Sequence, residues 1–311
     1  MTTVPSSQPR KSFDAFGVQF AWDATSITLA QECLRKYQLR MIQGWSKPSK
    51  SVHLVFGGLY ASALEHFYKY RAEGATIPDA LDRVVAEALI ASWDAATGQP
   101  IDFDHPAKTR LNLIRSIVWY VEEFGDESMT PLKTYHLKDG TPAVELSFAF
   151  EADDGILFTG HLDRVAQMGD DLYILDQKTT GTTISSYFFD QFSPNNQVSL
   201  YAIAGEVVLN TPIKGLIIDA AQIAVGFTRF SRGFVHRNRD ILTEWRETAL
   251  YTIKIAQQAT VLNFFPQNPT ACGNYGGCEF RHICSIPRSQ RQSYLETDFS
   301  RTSWWDPLEA R

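Results

Sequence analysis

Residues 160–181 read GHLDRVAQMGDDLYILDQKTTG. Two apolar-rich runs, one in each half of this stretch, flank a polar Gly-Asp-Asp turn at 169–171, and this pattern predicts a β-hairpin. Asp163 lies near the end of the first run, and Asp176 and Lys178 lie near the end of the second. Because alternate residues of a strand point to the same face, we expect Asp176 and Lys178 to point the same way. The hairpin can therefore place two carboxylates and one ammonium group in a single cleft.

This combination of groups suits the hydrolysis of a phosphodiester. Carboxylates supply the hard oxygen ligands that Mg²⁺ or Mn²⁺ prefers, and such a metal polarises phosphate and activates water. A neighbouring lysine can orient the attacking water or stabilise the developing negative charge. An isolated Asp-x-Lys more often ends a strand at a surface, so the surrounding motifs decide between the two interpretations.

The stretch resembles the core of the PD-(D/E)XK nucleases, and specifically their RecB-like branch. Members of that branch carry Gly-x-x-Asp-Arg, a short hairpin, Asp-x-Lys-Thr, and then Gln-x-x-x-Tyr on a helix. This chain has the first two motifs at 160–164 and 176–179, followed by Gln197 and Tyr201, whose spacing places them on one helical face. The resemblance implies an α/β fold, in which a central mixed β-sheet of the restriction-endonuclease-like type is flanked by helices, with a helical N-terminal insert.

A further motif of the branch, Phe-Gly-x-x-x-His-x-x-Leu-Glu, lies on a helix before the hairpin. Residues 56–65 match it except that Ala61 stands where the branch has its histidine. The resemblance thus implies that one metal ligand is missing. Glu65, one turn further along the same face, is the candidate to replace it, and the alternative for Glu65 is a solvated helix glutamate.

The resemblance also assigns a role to each residue of the hairpin and of the helix after it. Arg164 is expected to support the strand end or to contact phosphate, and Glu145, on the preceding strand, to support the site. The remaining roles are metal binding for Asp163, Asp176 and the backbone carbonyl of Gln177, water positioning or activation for Lys178, and orientation of phosphate or DNA for Gln197 and Tyr201.

The four cysteines of the chain are unevenly placed. Cys33 stands alone, whereas Cys272, Cys278 and Cys284 form a C-x₅-C-x₅-C run. Their spacing indicates a four-thiolate metal centre but leaves zinc, a [4Fe–4S] cluster and free thiols open. One cysteine before the nuclease motifs and three after them resembles the iron–sulfur RecB-like nucleases, which include AddB-type, CRISPR-associated and phage proteins. That resemblance implies a structural [4Fe–4S] cluster that joins the two ends of the chain.

Composition and hydrophobic pattern indicate the class of the protein and the parts into which the chain divides. The net charge of −6 argues against a non-specific basic DNA coat protein. We expect no membrane span and no secretory signal, and hence a cytoplasmic protein, because the chain lacks a long apolar run.

A single helix is predicted over 26–43, and Trp304 and Trp305 are expected to pack onto the body of the protein. The predicted parts are a tail or arm at 1–25, a helical part at 26–130, the nuclease core at 131–265 and a cluster-binding segment at 266–311.

The implied function is a Mg²⁺- or Mn²⁺-dependent deoxyribonuclease, and in particular an exonuclease on single-stranded DNA or duplex ends, in recombination, repair, or phage or CRISPR DNA processing. The chain has no helicase P-loop, so any unwinding would come from a partner such as a helicase, recombination or CRISPR protein. The alternative is a catalytically weak DNA-binding or scaffolding protein with a nuclease fold, and Ala61 motivates it. The sequence leaves open the polarity, the strand preference and the oligomeric state.

Overall fold

The computed structural model describes residues 11–48, 51–94, 97–101, 105–301 and 306–308. The prediction for Trp304 and Trp305 lies outside these residues, as does that for the first part of the tail. Contacts divide the chain into two compact units. The terminal unit contains residues 1–49, 147–160 and 238–311, and the central unit contains residues 50–146 and 161–237.

Helices account for much of the described chain, and none of those described is long and apolar enough to cross a membrane. A π-helical turn spans Gln38–Ile42 and a 3₁₀-helix spans Pro269–Gly276. The α-helices are α1 (Ala24–Glu32), α2 (Leu34–Tyr37), α3 (Val52–Ala72), α4 (Ile77–Ala91), α5 (Arg110–Phe124), α6 (Ser186–Asp190), α7 (Asn196–Leu209), α8 (Arg239–Val261), α9 (Arg281–Ser285) and α10 (Arg291–Asp298).

The strands range from two to thirteen residues in length. They are β1 (Ala21–Trp22), β2 (Trp45–Ser46), β3 (Trp93–Asp94), β4 (Gln99–Pro100), β5 (Lys133–Thr134), β6 (Val144–Asp153), β7 (Ile156–Met168), β8 (Asp171–Thr180), β9 (Ile213–Ile223), β10 (Thr228–Val235) and β11 (Ser300–Arg301).

The main sheet is mixed, and chain connectivity explains why. The short turn at 169–170 joins β7 to β8 as an antiparallel hairpin, as the sequence predicts. A parallel neighbour requires a crossover, and α7 supplies it between β8 and β9, which pair in parallel. Strand β10 then returns antiparallel to β9. The prediction of a central mixed sheet flanked by helices is confirmed.

Helices α3, α4 and α5 form one layer of the central unit. Helix α4 begins where the Thr76 hydroxyl accepts the N–H of Asp79, and it buries Ala80, Val84 and Ala88 at intervals of four residues. These side chains share an apolar core with Leu64 of α3 and with residues of α5 and β9. The layer thereby fixes α3, which carries Ala61 and Glu65.

Helix α7 packs closely against β8. A Cβ atom added at Gly205 would lie 2.6 Å from the side chain of Ile174 and 2.9 Å from that of Ile213, so any larger residue would have to displace these side chains. The helix begins where the Asn195 side chain accepts the N–H of Val198. Its first turns are thereby held beside the end of β8.

The helix predicted over 26–43 is interrupted in the terminal unit. Cys33 has an extended backbone (φ −167°, ψ 115°), and it separates α1 from α2. Its sulfur accepts the backbone N–H of Asn268 at 3.4 Å, a long-range contact that periodicity along 26–43 cannot reveal. The interruption thus accompanies the approach of the C-terminal segment to Cys33.

Candidate functional site

The hairpin brings the two aspartates together. Its register pairs Arg164 with Leu175, so Asp163 and Asp176 are the next residues along, one on each strand. Oδ2 of Asp163 accepts the backbone N–H of Gln177 at 3.0 Å. Asp176 is only 1% exposed, so its carboxylate needs a compensating partner.

Lys178 links this aspartate pair to α7. Its Nζ lies 2.7 Å from Oδ1 and 2.6 Å from Oδ2 of Asp176, and it donates to Oε1 of Gln197 at 3.1 Å. Gln197 Nε2 in turn donates to the hydroxyl oxygen of Tyr201 at 3.1 Å. The five residues predicted as catalytic therefore lie together, in one polar cluster of the central unit.

The electrostatics of the cluster reflect its burial. Removal from water, and then the charge of Asp176, raise the pKa of Asp163 to about 8. Burial alone would lower the pKa of Lys178, but the Asp176 and Asp163 carboxylates outweigh it, and the pKa is raised. Burial and the same two carboxylates raise the pKa of Tyr201 well above its usual value. Two close carboxylates thus repel each other, and Lys178 offsets only part of that charge.

A small cavity of about 10 Å³ lies beside Asp163. Ala61, Glu65 and Glu145 line it together with Asp163, so the position of the expected histidine does face this region. A volume of this size suits about one water molecule. Glu65 also forms an i,i+4 ion pair with Lys69, with 2.5 Å between Nζ and Oε1. The structure therefore places Glu65 near Asp163 while giving it a cationic partner of its own.

The residues fit a Mg²⁺ site at which the protein supplies only a few of the ligands. Asp176 is buried with Lys178 as its cationic partner, and the raised pKa of Asp163 indicates that the second carboxylate of the pair is not compensated. Among the described residues no group of three His, Cys, Asp or Glu side chains is arranged to hold a metal ion. Mg²⁺ is commonly held by one or two carboxylates, with waters and substrate phosphate completing its shell. Asp163, Asp176 and the Gln177 carbonyl match that requirement.

Arg164 supports the strand from behind the cluster. It is 2% exposed, its guanidinium carbon lies 3.8 Å from the centre of the Tyr68 ring, and Nη1 lies 3.6 Å from Oε1 of Glu127. Nearby, Asp219 accepts the hydroxyl of Tyr120 at 2.5 Å. Of the two roles expected for Arg164, its burial and contacts favour support of the strand end.

The four cysteines converge in the terminal unit. A cavity of about 260 Å³ is lined by Cys33, Cys272, Cys278 and Cys284, together with Lys36 and Arg281. None of the four forms a disulfide. Burial raises the pKa of Cys278 and of Cys284, and the other cysteines lie close enough to contribute to both shifts. Both ends of the chain thus supply thiols to one cavity.

Asn268 is a residue of this cavity that the sequence analysis missed. Its N–H donates to Cys33 Sγ at 3.4 Å, its carbonyl accepts from Cys272 Sγ at 3.7 Å, and its Nδ2 donates to the Glu32 carbonyl at 2.8 Å. Hydrogen bonds to sulfur orient thiolate ligands and tune a centre that they hold. Its only sequence signal is its place four residues before Cys272.

The mixed sheet and the two opposed aspartates beside a lysine define the class of the restriction-endonuclease-like proteins. A family model described as the PD-(D/E)XK nuclease superfamily matches residues 21–285. The chain belongs to this superfamily. No curated protein matches the sequence.

A solved structure is also similar to this chain. It is a crystal structure from Eubacterium rectale described as "Putative exonuclease", with a TM-score of 0.50 and 11% sequence identity. The match covers 82% of this chain and 86% of that chain. At this level of identity the likeness shows the fold alone.

Proposed function

We propose that the protein is a metal-dependent deoxyribonuclease of the RecB-like branch. The observation that carries this proposal is the continuous polar chain from Asp176 through Lys178 and Gln197 to Tyr201, with Asp163 opposite Asp176. Membership of a nuclease superfamily supports the same conclusion. The substrate would be single-stranded DNA or a duplex end, in keeping with the resemblance.

Each residue then has a task. Asp163, Asp176 and the Gln177 carbonyl would hold Mg²⁺ or Mn²⁺, which when bound polarises the scissile phosphate and lowers the pKa of water. Lys178, fixed by Asp176 and Gln197, directs its ammonium group at the water or at the phosphate oxygens. Gln197 accepts from Lys178 and donates to Tyr201, and these two residues set that direction.

We also assign a structural [4Fe–4S] cluster to the cysteine cavity. Thiolate sets hold zinc as well as iron–sulfur centres, and it is the branch resemblance that favours the iron–sulfur centre. A cavity between separated thiols suits a larger thiolate-bound centre, as the branch resemblance implies. Lys36 and Arg281, which line the cavity, would offset its negative charge. The cluster would join α1 to the segment after α8.

The test of nuclease activity uses end-labelled single- and double-stranded DNA with Mg²⁺ or Mn²⁺. We expect wild type to degrade at least one substrate, and Lys178→Ala to lower the rate by about 100-fold or more. Lys214→Ala, which removes an exposed lysine of the same unit, is the matched control. The product ladder would also give the polarity and distinguish exonuclease from endonuclease action.

One observation favours a second candidate, a DNA-binding scaffold with weak catalysis. Ala61 faces the cavity beside Asp163, and Glu65 is held by Lys69. Inactivity of folded wild type at saturating Mn²⁺ would support this scaffold, and Ala61→His should then restore cleavage. A helicase or recombination partner in the cytoplasm would suit either candidate.

The test of the cluster is independent of activity. Anaerobically purified wild type should be brown and contain about four iron atoms and four sulfides per chain, as the formula requires. Cys33→Ser should lose most of the iron and much of its solubility, whereas Thr297→Ala, which removes a hydroxyl of α10 outside the cavity lining, should keep both. Stoichiometric zinc in a colourless preparation would overturn the assignment.

A further inference from the structure

A second groove lies in the central unit, at the carboxyl ends of β8 and β9, and its lining mixes apolar with polar side chains. Its volume is about 650 Å³. One side is formed by three threonines and a glycine at 179–182, and the other by residues 223–225 that follow β9. His53, His105 and Ala107 complete the lining. No residue predicted for the active site is among the residues that line this groove.

A buried lysine lies behind this lining. Lys108 is 1% exposed, its Nζ donates to Oγ1 of Thr179 at 3.2 Å, and the same Nζ lies 4.5 Å from the centre of the Phe56 ring. Among the described residues no carboxylate lies within ion-pair distance of it. Burial lowers the pKa of Lys108 to about 8, which expresses the cost of an uncompensated charge. A buried ammonium group of this kind favours an anion nearby and opposes a cation.

The groups around Lys108 are oriented as donors. Nδ1 of His105 faces the backbone N–H groups of Ala107 at 3.1 Å and Lys108 at 3.0 Å, so it must accept and Nε2 must carry the proton. The Thr179 hydroxyl accepts from Lys108, which leaves its own proton for another acceptor. The His53 ring lies 5.1 Å from the His105 ring, centre to centre. Donors backed by a buried cation are the chemistry of a phosphate site.

The groove is close to the proposed active site along the chain. Thr179 follows Lys178 directly, and Thr180 ends the same strand. Successive residues of a strand rise by about 3.3 Å, so the groove lining begins, at Thr179, about 3.3 Å from Lys178 along β8. Side chains of Lys178 and Thr179 point to opposite faces, so a bound strand would pass around the end of β8. A neighbouring phosphate of the same nucleic acid strand is within reach.

We propose that the groove between 179–182 and 223–225, backed by Lys108, binds a non-scissile phosphate of the DNA strand. This inference rests on the proposed function, because it takes the strand at Lys178 as the origin of that phosphate. His53, His105 and Thr179 would donate to the phosphate oxygens. Lys108 would act indirectly, as a positioning residue. It would orient the Thr179 hydroxyl and supply positive electrostatic potential at the groove. The site would fix the register of the strand relative to the aspartate pair.

The test measures binding of a short single-stranded oligonucleotide by fluorescence anisotropy, in Ca²⁺ to suppress cleavage. Each phosphate in turn is replaced by an uncharged methylphosphonate. For wild type we expect a severalfold weaker affinity at one position outside the scissile phosphate. Lys108→Met should bind the unmodified oligonucleotide and the one modified at that position with equal affinity. For this variant the slope of log affinity against log salt concentration should be shallower by about 0.7, the value for one lost phosphate contact on a single strand.

Two further variants keep the result interpretable. Lys214→Met removes a lysine that is 55% exposed in the same unit, and it should retain the wild-type sensitivity to methylphosphonate. His53→Gln, at an exposed position, should reduce that sensitivity even if Lys108→Met fails to fold. Wild-type sensitivity in both groove variants would overturn the proposal. The proposal would also be overturned if inorganic phosphate displaced the oligonucleotide at a concentration similar to the Kd for DNA, because the groove would then be a site for a free anion.

The outcome also separates this inference from the proposed function. If the protein binds DNA with the expected position-dependence but does not cleave it in Mg²⁺ or Mn²⁺, the groove proposal stands and the nuclease proposal fails. A protein that cleaves DNA without any position-dependence outside the scissile phosphate would retain the nuclease and lose the groove. Absence of binding to any DNA would overturn both.

Discussion

Lys178 and Gln197 are joined by a hydrogen bond of 3.1 Å between Nζ and Oε1, although one residue is on β8 and the other on α7. The same ammonium group contacts Asp176, so its direction is set from two sides. Lys178 is 31% exposed and would otherwise sample several rotamers. Gln197 therefore acts as the group that holds the lysine towards the proposed substrate.

Replacement of Gln197 by leucine should lower kcat by about 10- to 100-fold, the range typical for a residue that orients a group at a metal site. The side chain keeps its volume but loses the acceptor for Lys178. KM should change little because the phosphate contacts remain. Steady-state cleavage of a labelled oligonucleotide in Mn²⁺ measures both constants.

Tyr201→Phe is the matched control for that variant. It removes the hydroxyl that accepts from Gln197 but leaves the bond between Gln197 and Lys178 in place. Its loss of kcat should therefore be smaller. If Gln197→Leu retained wild-type kcat, Asp176 alone would suffice to position the lysine.

The raised pKa of Asp163 predicts a pH-dependent stability of the metal-free protein. A carboxyl group with a pKa of about 8 in the folded state and 3.8 as a free group binds more protons when folded. Stability contributed by this group is therefore full below about pH 4 and is lost as the pH rises to 8. Asp163→Asn should consequently unfold at a higher urea concentration than wild type at pH 8.

The comparison requires a second pH and a second aspartate. At pH 3 the difference between Asp163→Asn and wild type should nearly vanish, because the carboxyl is then largely protonated in both the folded and the unfolded state. Asp170→Asn, in the exposed hairpin turn, should show no such trend. A gain in stability that is independent of pH would indicate a packing effect and contradict the predicted cause.

Local spacing explains why the polar cluster was predictable. The two runs that flank 169–171 specify a hairpin, and a hairpin has only one register that opposes Asp163 and Asp176. The i,i+4 spacing of Gln197 and Tyr201 likewise fixes their common face. Contact between the two motifs followed only from the family resemblance, since nothing in either spacing relates α7 to β8.

Long-range contacts explain what the sequence could not predict. The periodic helix is interrupted at Cys33, whose sulfur accepts the N–H of Asn268 from the distant C-terminal segment. Lys108 precedes α5 in a stretch without a motif, and only the fold places it under Thr179. The ion pair between Glu65 and Lys69 follows from helical spacing, but the cavity beside them does not.

Lys108→Met should stabilise the protein in the absence of DNA. The pKa of Lys108 falls from 10.5 to about 8 on folding, so the unfolded chain binds more protons between these values and stability rises with pH across that window. At pH 7 the charge is present in both states, and its burial costs about 3 kcal/mol. Methionine has a similar shape and carries no charge. Thermal unfolding at pH 7 should give a Tm several degrees above that of wild type.

Lys214→Met again supplies the matched exposed lysine, and it should leave Tm within about 1 °C of wild type because surface substitutions have small effects. The gain from Lys108→Met should shrink as the pH approaches 10. A lower Tm for Lys108→Met would mean that an internal anion already compensates the ammonium group, which would also weaken the phosphate assignment.

Glu145 has a left-handed backbone, with φ at 49°, at the start of β6 and beside Asp163. Glycine adopts this conformation freely, whereas alanine pays about 1 kcal/mol for it. Glu145→Gly and Glu145→Ala both remove the carboxylate, so the difference between them reports the backbone alone. We expect the glycine variant to be the more stable by about 1 kcal/mol in urea unfolding.

At Glu151, which lies on the same strand with an ordinary backbone, the order should reverse, because glycine weakens a strand interior. An alanine variant at least as stable as the glycine variant at position 145 would show that the left-handed conformation is imposed by the carboxylate itself and disappears with it.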